Sequence, residues 1–137
     1  MNIKRWLMAG FAAFAAIFVL DLIVHGTLLT GLYDDTAFIW RAKPEAHQKM
    51  WLMTLSQLLL GLALAWFYTK GFEARKAGLA QGLRFGWYAG LTLAAAQGFV
   101  WYVVLPIPFV LNLGWVVSIF VDALAAGALI GIVYKSK

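Results

Sequence analysis

A carboxylate and an imidazole, Asp21 and His25, stand four residues apart inside a run of apolar residues. On a helix that spacing puts both on one face, one turn apart, where they can share a proton or offer two ligands to one metal ion. Gln57, Gln97 and Asp122 also lie deep in apolar stretches. A carboxylate left against lipid costs at least about 2.5 kcal/mol on insertion scales, so Asp21 and Asp122 are expected to face a bundle interior or a wet cavity. One reading is an outward-opening polar pocket that holds a proton, a cation or a small polar ligand. A second is plain hydrogen-bonded glue between helices, in which Asp21 bonds His25 and Gln57, Gln97 and Ser118 complete the set. A bound transition metal is a third. His47 can reach the mouth of such a pocket, although a lone loop histidine is ordinarily just solvated.

Other chemistries find less support. No glycine-rich phosphate loop follows a strand, and neither Gly-x-Ser-x-Gly nor His-Glu-x-x-His occurs. The chain has no cysteine, which removes disulfides, zinc-thiolate sites, iron–sulfur clusters and thiol redox chemistry. A lipid-active enzyme would have to draw on Asp34, Asp35, Arg41 and His47, charges that also suit simple interface anchoring. Haem ligation by the two histidines is disfavoured by their different expected depths. No catalytic residue, metal site or cofactor is assigned, and no nucleic acid is expected as a partner.

The elements that must position these groups follow from composition. Of 137 residues, 64% are hydrophobic and 12% charged, about half the charged share of a soluble domain. A soluble fold is excluded. Apolar segments run from Trp6 to Leu32, Met50 to Thr69, Leu83 to Leu105 and Phe109 to Tyr134, each near the 20 or so residues a membrane span needs. The expected fold is all-α, a four-helix transmembrane bundle formed by residues 1–137 as a single domain, with no room for an extramembrane one. Lys4 and Arg5 ahead of an alanine-rich apolar run imitate a secretory signal, but the run continues to Leu32 and is expected to stay as the first helix.

The net charge of +5 then reports topology rather than a polyanionic partner. Lys4, Arg5, Lys70, Arg75, Lys76, Arg84, Lys135 and Lys137 fall on one side, against Arg41, Lys43 and Lys49 on the other. Both termini are therefore expected in the cytoplasm of a bacterium, with the chain in its inner membrane. Trp6, Trp66 and Trp87 fall near inner ends and Trp40, Trp51, Trp101 and Trp115 near outer ends, as amphipathic indoles prefer. The outer loop Tyr33 to Arg41 is expected to form a short interfacial helix capped by an Asp or Thr, with Phe38, Ile39 and Trp40 turned to lipid. Pro44 and Glu45 suit the first turn of helix two, Lys70 to Gly82 forms the inner connector, and Pro106-Ile107-Pro108 makes a tight outer turn.

Small residues recur every fourth position. Gly86, Gly90, Ala94 and Gly98 line helix three; Ala123, Gly127 and Gly131 line helix four; Gln57, Gly61 and Ala65 line helix two. Helices two, three and four are expected to pack tightly, and the same faces also suit a homo-oligomer or a membrane-complex partner. Such an accessory subunit, without chemistry of its own, is the alternative to a binding or transport protein. At 1.5 Å per residue, Asp21 lies about 22 Å up helix one, Gln57 and Gln97 lie roughly 12 Å below the outer surface, and Asp122 lies near the bilayer centre.

These features resemble a family of small uncharacterised bacterial membrane proteins with four predicted helices. The resemblance rests on Asp21-Leu22-Ile23-Val24-His25-Gly26, Thr36, Trp40-Arg41 and Gly82-Leu83-Arg84-Phe85-Gly86. It continues through Pro106-Ile107-Pro108 and Asp122 with Gly127, Gly131 and Tyr134. Phe85 stands where that family commonly has Tyr, and Asp122 where it has Glu. The resemblance implies the same topology and no established reaction, and it points to Asp21, His25, Arg41, Arg84 and Asp122. Trp40, Arg41 and Arg84 also suit plain interface anchors, Arg84 through lipid phosphate.

Overall fold

The computed structural model describes residues 2–76 and 78–134, and all regular structure among them is helical. Helix α1 spans Ile3–Ile23, with the Asn2 side chain accepting from the Arg5 amide at 3.1 Å as its cap. It runs directly into a π-helical turn, Val24–Leu28. Then come α2 (Thr30–Asp35), a 3-10 turn (Ala37–Ile39), α3 (Lys43–Lys70), α4 (Gly78–Gln97), α5 (Val100–Val104) and α6 (Phe109–Val133).

Three helical stretches are long and apolar enough to cross a membrane: Ile3–Leu28, Lys43–Lys70 and Phe109–Val133. Helix α4 is not among them, because Gln81, Arg84 and its glycines dilute its hydropathy. The outward faces carry large apolar side chains such as Phe11, Leu22, Leu59, Phe67 and Ile132, all more than half exposed. The interior collects small and polar residues, Ala9, Ala13, Ala65 and Ala126 with Gln57, Asn112, Ser118 and Asp122, beside larger apolar ones such as Ile17, Leu111 and Ile130. Large apolar side chains outside and small and polar ones within suit helices solvated by hydrocarbon, where close backbone packing and internal hydrogen bonds supplement burial.

Several boundaries differ from the sequence expectation. The first apolar run is not one helix to Leu32. Thr27 turns its hydroxyl back onto the Ile23 carbonyl, Gly26 adds no side chain to hold the turn, and the backbone widens to π before α2 begins. Helix α3 starts earlier than expected, at Lys43, with Pro44 in its first turn and Glu45 beside the amide end. The third run, read as Leu83 to Leu105, is already helical from Gly78 and breaks at Gly98 and Phe99. A Cβ at Gly98 would come within 2.9 Å of the Val116 side chain, so the chain bends there against α6. The outer loop is capped by neither Asp nor Thr. Thr36 instead donates to the Leu32 carbonyl at 2.7 Å and accepts from Trp40 Nε1 at 3.0 Å, which turns Trp40 inward and leaves only Phe38 fully out.

The helices pack as two pairs, α4 with α6 and α1 with α3, joined through α1 and α6. Along the first pair Gly78, Gly82, Gly86 and Gly90 meet Gly131, Gly127, Ala123 and Phe120 in antiparallel order. A Cβ at Gly127 would stand 2.5 Å from the Gly82 carbonyl oxygen, and one at Gly86 would stand 2.6 Å from that of Ala123. Both small-residue stripes are thus spent inside the chain. The α3 stripe does not join them. Gly61 faces α1, where a Cβ would meet the Gly10 carbonyl at 2.7 Å, because Ala9, Gly10 and Ala13 give α1 a small face of its own.

At the terminal end of the bundle Tyr68, Phe72, Phe85 and Tyr134 pack edge to face. The connector from α3 is pinned beside them. Buried Gln81 accepts from the Glu73 amide at 2.8 Å and donates to its carbonyl at 3.1 Å. Arg84, read from sequence as a lipid anchor, reaches the Glu73 carboxylate at 2.8 Å, and Lys76 reaches it at 2.6 Å. These hydrogen bonds, Lys76 first and then Arg84, hold the Glu73 carboxyl below its usual range.

Gly82→Leu or Gly127→Leu should lower unfolding stability in detergent by about 1 to 3 kcal/mol or more, while Gly31→Ala, which meets open space, should change it by less than about 0.5 kcal/mol. In the connector, Gln81→Ala should destabilise more than Arg84→Gln, since the amide is buried and the ion pair exposed. Because Glu73's folded pKa is depressed, its contribution is present above the unfolded value and is lost as pH falls through the folded one. The protection factors of amides 72–76, exchange corrected for its intrinsic slowing in acid, should therefore fall on acidification in the wild type and stay unchanged in Glu73→Gln.

Candidate functional site

The site begins at the π turn after α1. The helical path continues through Leu29, whose N–H reaches the Val24 carbonyl and whose own carbonyl accepts from the Tyr33 amide, and the Tyr33 phenol oxygen lies 2.6 Å from His25 Nδ1. Trp115 of α6 donates its indole N–H to the same oxygen at 2.7 Å and stacks on the Tyr33 ring, and Trp40 meets that ring edge-on. An indole nitrogen can only donate, so Tyr33 accepts from Trp115, and it shares a second hydrogen bond with His25 Nδ1 whose direction follows the imidazole tautomer. Burial pushes the Tyr33 phenol up, the Trp115 hydrogen bond opposes this, and the Asp21 charge adds to the rise. The other ring nitrogen, Nε2, lies 3.6 Å from Asp21 Oδ1.

Asp21 is the hub. Its Oδ2 accepts from Gln57 Nε2 of α3 at 2.5 Å, and Asp21 lines the same cavity as Asp122 of α6. Ser118, one turn before Asp122, donates to Asp122 Oδ2 at 3.3 Å. Gln57 and Asp122 are each only 7% exposed, yet Gln57 Oε1 and Asp122 Oδ1 have no hydrogen-bond partner among the described residues. Such buried acceptors are rare in folded proteins, since each forgoes the hydrogen bonds water would give it.

These groups line one partly open cavity of about 300 Å³ together with Gln97, whose side chain reaches it where α4 ends. Asp21, His25, Gln57, Gln97 and Asp122 therefore meet in one place, contributed by α1, its π turn, α3, α4 and α6. Arg41 lies outside it, bonded to Glu45 at 2.6 Å, and Arg84 belongs to the far end of the bundle. His47 is on α3 rather than in a loop; its Nδ1 donates to the Lys43 carbonyl at 3.0 Å, and its ring lines a second cavity with His25. No three His, Asp or Glu side chains among the described residues form a group that could hold a metal ion. Tyr33 and Trp115 are the members that sequence reasoning missed. Trp115 reads as an outer-end indole and Tyr33 as the start of the outer loop, and nothing in their spacing pairs them.

The geometry makes Tyr33 a keystone. Tyr33→Phe leaves the Trp115 N–H without its acceptor and should cost about 1 to 3 kcal/mol in unfolding stability, whereas Phe38→Ala, 81% exposed, should change it little. Nitrogen-15 NMR of His25 should show Nδ1 losing its hydrogen-bond partner in Tyr33→Phe; an unchanged imidazole spectrum contradicts the wiring.

No family model, curated protein or solved structure matches the chain, so the chemistry of the site rests on its own geometry.

Proposed function

We propose that this chain is a four-span protein of the bacterial inner membrane, with both termini cytoplasmic, that binds a proton, a cation or a small cationic ligand between Asp21 and Asp122. Three spans are apolar by themselves. The fourth, α4, is added because its glycine ladder holds it against α6 along most of its length. The Lys and Arg asymmetry supports the orientation and puts the cavity in the periplasmic half. Membership of the four-helix bacterial family belongs to the same proposal and would bring topology without a reaction.

One observation carries the binding reading: two carboxyls meet in a cavity whose remaining buried acceptors, Gln57 Oε1 and Asp122 Oδ1, are unpartnered. Facing carboxylates in a poorly solvated interior repel, and a positive charge or a proton between them removes the repulsion. A set rich in acceptors selects an occupant that supplies N–H groups or charge. His25, bonded to Tyr33 and adjacent to Asp21, is placed to pass a proton to that pair. The accessory-subunit alternative draws less support, because the small-residue faces it would use are closed against each other within the chain.

Protein in lipid nanodiscs, titrated with sodium, potassium and methylammonium, tests the proposal. At least one of these should bind saturably and displace a proton, and Asp122→Asn should weaken binding at least about tenfold, the loss of one charge-assisted contact. Absence of saturable binding and of proton displacement between pH 5 and 8, or Asp122→Asn binding like the wild type, would overturn it.

A further inference from the structure

Asp21, His25 and Gln57 line a second cavity as well. It lies between α1 and α3, measures about 710 Å³, and takes Phe18, Met50 and Met53 as apolar walls. Met50 and Met53 are nearly half exposed on the bundle's outer face, so this groove opens sideways, toward hydrocarbon in the proposed topology. Its volume suits a ligand larger than an inorganic ion. Its polar end is biased toward acceptors: the Asp21 carboxylate is 23% exposed, and Gln57 Oε1 is buried without a partner among the described residues. His25 Nδ1 is already committed to Tyr33.

We infer that this groove binds an amphiphilic organic ammonium, its head on Asp21 and Gln57 and its apolar body along Phe18, Met50 and Met53. An ammonium N–H satisfies both acceptors at once, while an aromatic face and polarisable thioethers suit a soft cationic body. The inference rests on the reading of Asp21 as a cation-holding carboxyl and extends it to a ligand class and a lateral entry. Because Asp21 faces both cavities, an ammonium in the groove and a cation beside Asp122 would draw on the same carboxylate. A lipid acyl chain is the competing occupant, and it would have no use for Asp21.

Equilibrium dialysis of the protein in nanodiscs against empty nanodiscs, with 1-naphthylmethylammonium as probe at pH 7.5, decides it. Saturable binding is expected, at least about tenfold weaker for the neutral isostere naphthylmethanol and for Asp21→Asn. Met53→Trp, at a tolerant wall position, should block the groove to a similar extent and decides the matter should Asp21→Asn fold poorly. Equal binding of ammonium and alcohol identifies an apolar slot for lipid and overturns the inference, as does binding that survives both variants. Probe binding with no small-cation effect in Asp122→Asn would sink the internal site alone; methylammonium binding without probe binding would sink the groove alone.

Discussion

Hydrocarbon offers no hydrogen bonds, and the arrangement of this chain follows from where it hides the groups that need them. Asp21 and Asp122 sit on helices whose outer faces are Phe, Leu, Ile and Val, and each turns inward to meet the other. Gln57 and Ser118 bring N–H and O–H donors to the carboxyls. The Trp115–Tyr33 hydrogen bond ties α6 to the segment that follows α1, while close backbone contact holds each pair together along its length.

That division of labour explains the glycines. Where α4 and α6 touch, carbonyls of one helix occupy the space a side chain would take on the other, so the pair is closed over its length by shape alone. Helix α1 reaches both pairs because Gly10 meets Gly61 and Leu62 of α3 while Ala9, Ala13 and Ile17 share an apolar core with Ala126 and Ile130 of α6. The π turn after Ile23 then ends the regular helix at the depth where Asp21 and His25 need to be approached from another segment, a place where widened turns recur in functional sites.

Much of this was legible in the residues. The apolar runs gave the long helices, four-residue spacing gave the glycine and alanine faces, and the rarity of charge in those runs singled out Asp21, His25, Gln57, Gln97 and Asp122. Partner choice was not legible: the Gly61 stripe suits any small face, and its match on α1 at Gly10 is broken up by larger neighbours. Nor were the breaks. Gly98 reads as one more small residue in a stripe, and becomes a bend only because Val116 presses on it. Tyr33 and Trp115 are far apart in sequence and look like outer-end aromatics until the fold lays one ring on the other. Arg84 shows the same limit, since its partner Glu73 comes from the connector rather than from its own helix.

A double-mutant cycle on unfolding free energy, with Asp21→Asn, Asp122→Asn and the pair in lipid nanodiscs, measures the encounter of the two carboxyls most directly. The account predicts a coupling of at least about 1 kcal/mol, since relieving the repulsion once leaves little for the second change to relieve. Coupling within about 0.5 kcal/mol of zero, as for independent sites, would contradict it.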